Sequence, residues 1–167
     1  MKCKIQLDPG ATIPTRAHAT DTGYDLRANN ITIRILEVNG KWKTFSPEGN
    51  MPDLKECCWQ VEIDTGVHIQ PPNGWGFTAR PNSRSRDSLF RWAFSPGTID
   101  GNYTGSIRIT LEPRFKWVDI QHVPSIGDVC AQIKPERVHS CSFEQVDTLP
   151  PPDRGTGGFG STERNKA

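Results

Sequence analysis

The sequence predicts an all-β fold: a jelly-roll or β-barrel protomer with one short helix and a flexible C-terminal arm. Apolar residues recur with period two in five stretches, and turn-forming clusters separate those stretches. The 14 Pro and 15 Gly among 167 residues leave little room for long helices. Many short strands with frequent turns suit antiparallel layers rather than βαβ units.

The elements follow in chain order. Ile31, Ile33 and Ile35 alternate with Thr32 and Arg34, so one face is apolar and the other polar. Residues 37–58 read as an insertion. Glu37 to Phe45 suits a hairpin through Asn39-Gly40, with Trp42 and Phe45 as anchors, and Ser46 to Lys55 is polar and turn-like. A plain surface excursion is the expectation there. Val61 and Ile63, then Val67 and Ile69, give two more alternating runs around the turn Asp64-Thr65-Gly66. Asp87 can cap a short helix carrying Leu89, Phe90, Trp92 and Ala93. Ile107, Ile109 and Leu111 form the fourth run, and Val129, Ala131 and Ile133 the fifth. Domain organisation is expected as one β domain over residues 1–149, with an arm over 150–167 that is Pro-rich, then Gly-rich, then charged.

Composition narrows the function. The chain is long enough to bury about 70% of its unfolded surface, so it needs no metal or disulfide staple. No 18-residue apolar stretch exists, and Met1-Lys2-Cys3-Lys4-Ile5 has no apolar run behind its charge, so an intracellular, cytoplasmic protein with no membrane partner is expected. A formal net charge of +1 gives no bulk basis for nucleic-acid binding; the cluster Arg80, Arg84, Arg86 and Arg91 is its one local support. The five Cys form no CxxC pair and the four His show no ligand spacing, so free thiols are expected and a zinc site is not.

Four stretches carry chemistry. Arg154-Gly155-Thr156-Gly157-Gly158-Phe159-Gly160-Ser161-Thr162 matches GxGxxG, but Pro150-Pro151-Pro152 precedes it where a dinucleotide fold needs a strand, and only seven residues follow Gly160. Its physics still suits a nucleotide: glycine backbone N–H groups approach anionic oxygens closely, Arg154 offers a planar fork, and Phe159 offers a face for a base. Asp21-Thr22-Gly23-Tyr24-Asp25 sets two carboxylates beside a Gly-Tyr turn. Gly97-Thr98-Ile99-Asp100-Gly101-Asn102-Tyr103-Thr104-Gly105 reads as a hairpin with an acid and an aromatic three apart. Gly127-Asp128-Val129-Cys130-Ala131-Gln132 brings a Gln onto the polar face of a strand.

Together and in this order, these stretches resemble the trimeric dUTPase family: motif one over Ala19 to Ala28, three over Gly97 to Gly105, four over Gly127 to Gln132 and five over Arg154 to Thr162. The resemblance implies a homotrimer with active sites shared between subunits, hydrolysing dUTP to dUMP and pyrophosphate with Mg²⁺. It implies that Asp100 activates the attacking water, that Asp25 contacts the metal through water, and that Tyr103 packs on the deoxyribose. Gly97 and Ile99 belong to the backbone that would read the uracil edge. Ser83 and Gln132 would hold the β-phosphate region. Arg154, Phe159, Gly160, Ser161 and Thr162 would close over the site from another chain. Motif two departs from the family pattern within Arg80 to Asp87: either Ser83 is the phosphate-contacting serine, with Asn82 where Arg is usual, or the pair is Arg84-Ser85. Phe94 and Ser106 also differ from the family pattern and bear on base selectivity. Two other readings stand beside this one. The first is a related pyrimidine deoxynucleotide pyrophosphatase or zinc-free deaminase of altered base preference. The second is a protein-binding module using the insertion, with Trp42 and Trp59 as its surface.

Overall fold

The computed structural model describes residues 1–150. Eleven strands run β1 (Lys4–Leu7), β2 (Tyr24–Arg27), β3 (Asn30–Leu36), β4 (Trp42–Phe45), β5 (Trp59–Asp64), β6 (Val67–Gln70), β7 (Trp75–Arg80), β8 (Phe90–Trp92), β9 (Gly97–Ile99), β10 (Arg108–Pro113) and β11 (Val129–Arg137). They form a five-stranded sheet in the order β4-β3-β5-β10-β8, a four-stranded sheet β2-β11-β7-β9, and a two-stranded pair β1-β6. Every pairing is antiparallel. Among the described residues no helix is long and apolar enough to cross a membrane.

The alternating runs face as expected. Ile31, Ile33 and Ile35 of β3, Val61 and Ile63 of β5, and Ile109 and Leu111 of β10 are buried. They meet Leu26, Phe77, Ala79, Ala131 and Ile133 of the second sheet in one core, with Val67 and Ile69 of β6 joining them. The opposite face of the five-stranded sheet carries a charge ladder. Arg34 reaches Glu62 at 3.7 Å, and Arg108 reaches Glu62 and Asp64 at 3.8 and 3.2 Å. β11 slips register between Val129 and Ala131, a bulge that resets which of its side chains face in.

Three readings of the sequence need correction. Residues 87–93 are not a helix. Phe90–Trp92 is strand β8, pairing with β10 through Leu111↔Trp92 and Pro113↔Phe90, while Asp87 ends a 3₁₀ turn over Ser83–Arg86. The i, i+3, i+4 spacing of Leu89, Trp92 and Ala93 mimics a helix, but Phe90 is buried edge-on against Trp59, with centroids 5.8 Å apart, and an open sheet edge supplies the hydrogen bonds. Among the described residues the helical elements are 3₁₀ turns alone. Second, Gly97 to Gly105 is not a hairpin. β9 pairs with β7, a turn closes from the Tyr103 N–H to the Asp100 carbonyl at 3.0 Å, and the chain crosses to β10 in the other sheet. Third, the insertion is built into the sheet. β4 pairs with β3 from Ile33↔Phe45 to Leu36↔Trp42, Gly40 takes φ +78° in the hairpin, the Arg34 guanidinium lies over the Trp42 ring, and Leu54 is buried. Trp59, buried in the core, offers no partner surface.

Candidate active site

β2, β11 and β7 bring one row of residues together: Asp25 lies opposite Gln132, and Gln132 opposite Arg80. β7 ends at Arg80, and the chain turns through Pro81 and Asn82 into the 3₁₀ turn that begins at Ser83. On the other side, the 17–23 loop is tied to this end of the sheet. The Asp25 N–H donates to the Thr15 carbonyl at 2.7 Å, and the Asp21 carboxylate accepts from the His18 N–H at 2.8 Å. Between loop and turn opens a polar cleft of about 460 Å³, lined by Asp21, Asp25, Ser83, Arg84 and Gln132 among others.

Two contacts set the shape of this cleft. The Gln132 amide donates through Nε2 to the Pro81 carbonyl at 3.2 Å, which leaves its Oε1 over Gly23. A Cβ on Gly23 would lie 2.9 Å from the Gln132 Cδ, so glycine lets the Asp21-Thr22-Gly23 turn pass beneath that amide without pushing it aside. Ser85 turns away, its hydroxyl 3.4 Å from Asn82 Oδ1, and takes no part in the lining. Of the two motif-two registers, Ser83 and Arg84 thus face the cleft and Ser85 does not.

The arginine cluster resolves along the same lines. Arg80 pairs with Glu136 at 3.2 Å, Arg86 with Asp87 at 3.1 Å and Arg91 with Glu112 at 3.3 Å. These exposed pairs contribute little stability but cancel net charge. Among the described residues Arg84 has no acid partner and lines the cleft, whereas Arg80, Arg86 and Arg91 are each paired with a carboxylate. Sequence reasoning left Arg84 open as half of the alternative motif-two pair and gave Asp21 no role. The signals were present, in an Asp three residues after a His and an Arg beside the candidate serine, but neither marks a site until the loops meet.

Asp100 and Tyr103 lie elsewhere. β9 pairs Gly97 with Ala79 and Ile99 with Phe77, so Asp100 follows at the opposite end of β7 from Arg80. Counting about 3.4 Å per residue and 4.8 Å per strand, Asp100 and Gln132 are roughly 17 Å apart across the sheet. Asp100 is exposed in the turn that Gly101 makes tight against the Trp75 carbonyl. Tyr103 folds back over Gly105 and donates its hydroxyl to the Ser106 carbonyl at 2.9 Å, leaving the ring 44% exposed. A Cβ on Gly105 would sit 2.6 Å from the Tyr103 Cζ, so this glycine is what lets the ring lie flat. Phe94 is 70% exposed and lines neither feature. Arg154, Phe159, Gly160, Ser161 and Thr162 lie outside the described residues.

The thiols are free, as expected. Burial pushes Cys130, two residues from Gln132, up to about 12, which removes it as a nucleophile. Among the described residues no group of three or more His, Cys, Asp or Glu side chains converges on a metal position. The cleft therefore offers no protein cage. The Asp25 carboxylate, with Asp21 and other oxygen-bearing groups in the same cleft, does fit a hard cation that keeps its waters and arrives with an anionic ligand.

Fold and site together define an all-β protein with a polar cleft at a strand end and a carboxylate–tyrosine turn at the far side of the same sheet. No family model matches the chain. It is 31% identical over 162 residues to a deoxyuridine 5'-triphosphate nucleotidohydrolase of Rhodococcus erythropolis, covering 94% of this chain and 82% of that one. It is 30% identical over 162 residues to the enzyme of that name from Mus musculus, covering 96% and 84%. In fold it is similar to the Staphylococcus bacteriophage 80alpha dUTPase with dUpNHpp, at a TM-score of 0.67 and 19% identity over 96% of this chain and 97% of that one. A mutant dUTPase from phage phi11 of S. aureus, described with a structural Mg(II) ion, matches with a TM-score of 0.61 and 18% identity, covering 89% and 99%. The chain belongs to the deoxyuridine 5'-triphosphate nucleotidohydrolase family.

Proposed function

We propose that this chain hydrolyses dUTP to dUMP and pyrophosphate, working as a homotrimer in which the cleft of one subunit is completed by the Asp100 turn of a second and the C-terminal arm of another. The observation that carries the reading is the convergence of Asp25, Ser83, Arg84 and Gln132 on one cleft in a chain of this family. The roughly 17 Å between Asp100 and Gln132 supports the sharing of sites, because one phosphoanhydride bond cannot be reached by both from the same chain.

The chemistry is in-line displacement. Water attacks the α-phosphorus, the bond from that phosphorus to the αβ-bridging oxygen breaks, and pyrophosphate leaves with the electron pair. The Asp100 carboxylate orients the water and accepts its proton. Ser83 and Gln132 hold the β-phosphate region, and the Arg84 fork lies close enough to neutralise phosphate charge. Asp25 would hold Mg²⁺ through water beside the triphosphate, and the ion would supply charge neutralisation there. The exposed face of Tyr103 packs on the deoxyribose and leaves no room for a 2′-hydroxyl. Arg154, Phe159, Gly160, Ser161 and Thr162 close the site. Residues 1–149 form the β domain and 150–167 the arm.

The test is pyrophosphate release by the full chain across a panel of deoxynucleoside triphosphates. dUTP is expected as the best substrate, with activity lost on chelation and restored by Mg²⁺. Inertness toward dUTP, or ammonia release from dCTP, ends the assignment. A variant tests the sugar pocket. Gly105→Ala displaces Tyr103 and is expected to lower the dUTP-over-UTP ratio of kcat/KM about tenfold, since the discrimination is steric. An unchanged ratio would detach Tyr103 from the sugar.

A further inference from the structure

The turn that carries Asp100 and Tyr103 is fastened at its exit by a side chain from another sheet. His68 lies on β6, half-buried, with Nδ1 2.8 Å from the Thr104 carbonyl oxygen and Nε2 3.2 Å from Asp8 Oδ1. A carbonyl and a carboxylate only accept hydrogen bonds. A neutral imidazole has one N–H and can satisfy one of them; the imidazolium satisfies both. Asp8 is held in place in turn, its N–H donating to the Gly66 carbonyl at 2.9 Å beside the Leu7↔Val67 pair. The segment's other side-chain ties run from the Tyr103 hydroxyl to the Ser106 carbonyl and from the Ser106 hydroxyl to Asp64.

We propose that His68 is a positioning residue, whose imidazolium clamps the Asp100–Thr104 turn onto the β1–β6 pair and whose deprotonation releases it. The charged groups facing the ring are Asp8 from the segment after β1, Asp64 at the end of β5, Lys4 lining the same groove, and Arg108 of β10, which is bound to Asp64 at 3.2 Å. The Thr104 carbonyl raises the His68 pKa most and Asp8 next; burial opposes them, and the Asp64 charge adds a smaller upward push. The folded value lies above the unfolded one, so the clamp is complete below about pH 6.5 and is lost as pH rises through the folded value.

The clamp stands on the geometry alone, whereas its effect on turnover rests on the reading of Asp100 and Tyr103 given above. The experiment has one arm for each. NMR titration of the ligand-free chain, with His68→Gln identifying the resonance, is expected to place the His68 pKa above the ordinary range. Amide exchange over residues 101–105, corrected for its intrinsic pH dependence, is expected to speed up through that same pKa. Asp8→Asn, which keeps the ring, should lower the His68 pKa and carry the exchange transition down with it. In pyrophosphate release, wild-type kcat should fall through the His68 pKa. His68→Gln should lack this step, running about fivefold below wild type at pH 6 and meeting it at high pH, the size expected for one lost hydrogen bond. A His68 that titrates at or below about 6.5, or a transition that Asp8→Asn leaves in place, overturns the clamp. A clamp that titrates without moving kcat overturns the positioning role while leaving the hydrolase reading intact. A chain with no dUTP activity but a moving exchange transition keeps the clamp and removes that reading.

Discussion

Asp100→Asn is expected to lower pyrophosphate release by roughly 10²–10⁴-fold, the range for loss of a positioned general base, with dUTP affinity and Tm close to wild type. Asn keeps the shape and can still orient water, but it cannot take the proton. The Asp100 side chain is exposed in the turn, so its replacement costs the core nothing. The same variant tests the sharing of sites. Gln132→Glu sets a carboxylate against the triphosphate and should be inactive on its own. When the two inactive chains are unfolded together and reassembled, sites that pair an intact cleft with an intact Asp100 from a neighbour return. With random mixing in a symmetric trimer, about a quarter of wild-type activity is expected. A mixture as inactive as its parents would place the whole site within one chain and refute the shared arrangement. Full pyrophosphate release by the Asp100→Asn chain would refute the role of that carboxylate.

Ending the chain after Pro152 is expected to lower kcat/KM by roughly 10²–10³-fold while leaving Tm and oligomeric state unchanged. The estimate combines one lost charge-assisted contact from Arg154 with one lost base stack from Phe159. The fold should be indifferent, because the described buried core begins at Leu26 and ends at Ile133. In the full chain, Arg154→Ala and Phe159→Ala should each reproduce part of the deficit. Unaltered kcat/KM in the shortened chain would show that closure by the arm is not part of the reaction.

Much of the fold was legible because burial writes a period into a strand. β3, β5, β6, β10 and β11 carried clear alternation, and all five are strands whose alternating apolar residues are buried, except Val129, which lies at the β11 bulge and lines the cleft. β1 escaped notice because Lys4-Ile5-Gln6-Leu7 is short and mostly exposed. β7 escaped for the opposite reason: Gly76, Phe77, Thr78 and Ala79 are buried on both faces, so no period survives. β9 has three residues, too few for any periodicity, and β8 resembled a helix because an edge pairing cannot be read from spacing. Asp25, Ser83, Asp100, Tyr103 and Gln132 were named through the family resemblance that the order of the four stretches carries; Asp25, Ser83 and Gln132 fall in the cleft, and Asp100 and Tyr103 at the far end of the sheet. Arg84 was left open as half of the alternative pair and Asp21 carried no role, since what sets them apart is the absence or presence of partners that only folded loops provide.

By itself the sequence determined the local facts: which strand faces are apolar, where Gly40 must turn the chain, and which stretches carry carboxylates, amides and hydroxyls suited to a triphosphate. The tertiary structure alone decided the neighbours. It put Gln132 beside Asp25 and over Gly23, set Asp100 at the far end of the same sheet, and laid His68 between Asp8 and Thr104. The physical reason is range. Side-chain alternation and turn propensity act over a few residues, whereas strand order and register follow from burying one shared core, and that condition belongs to the whole chain at once.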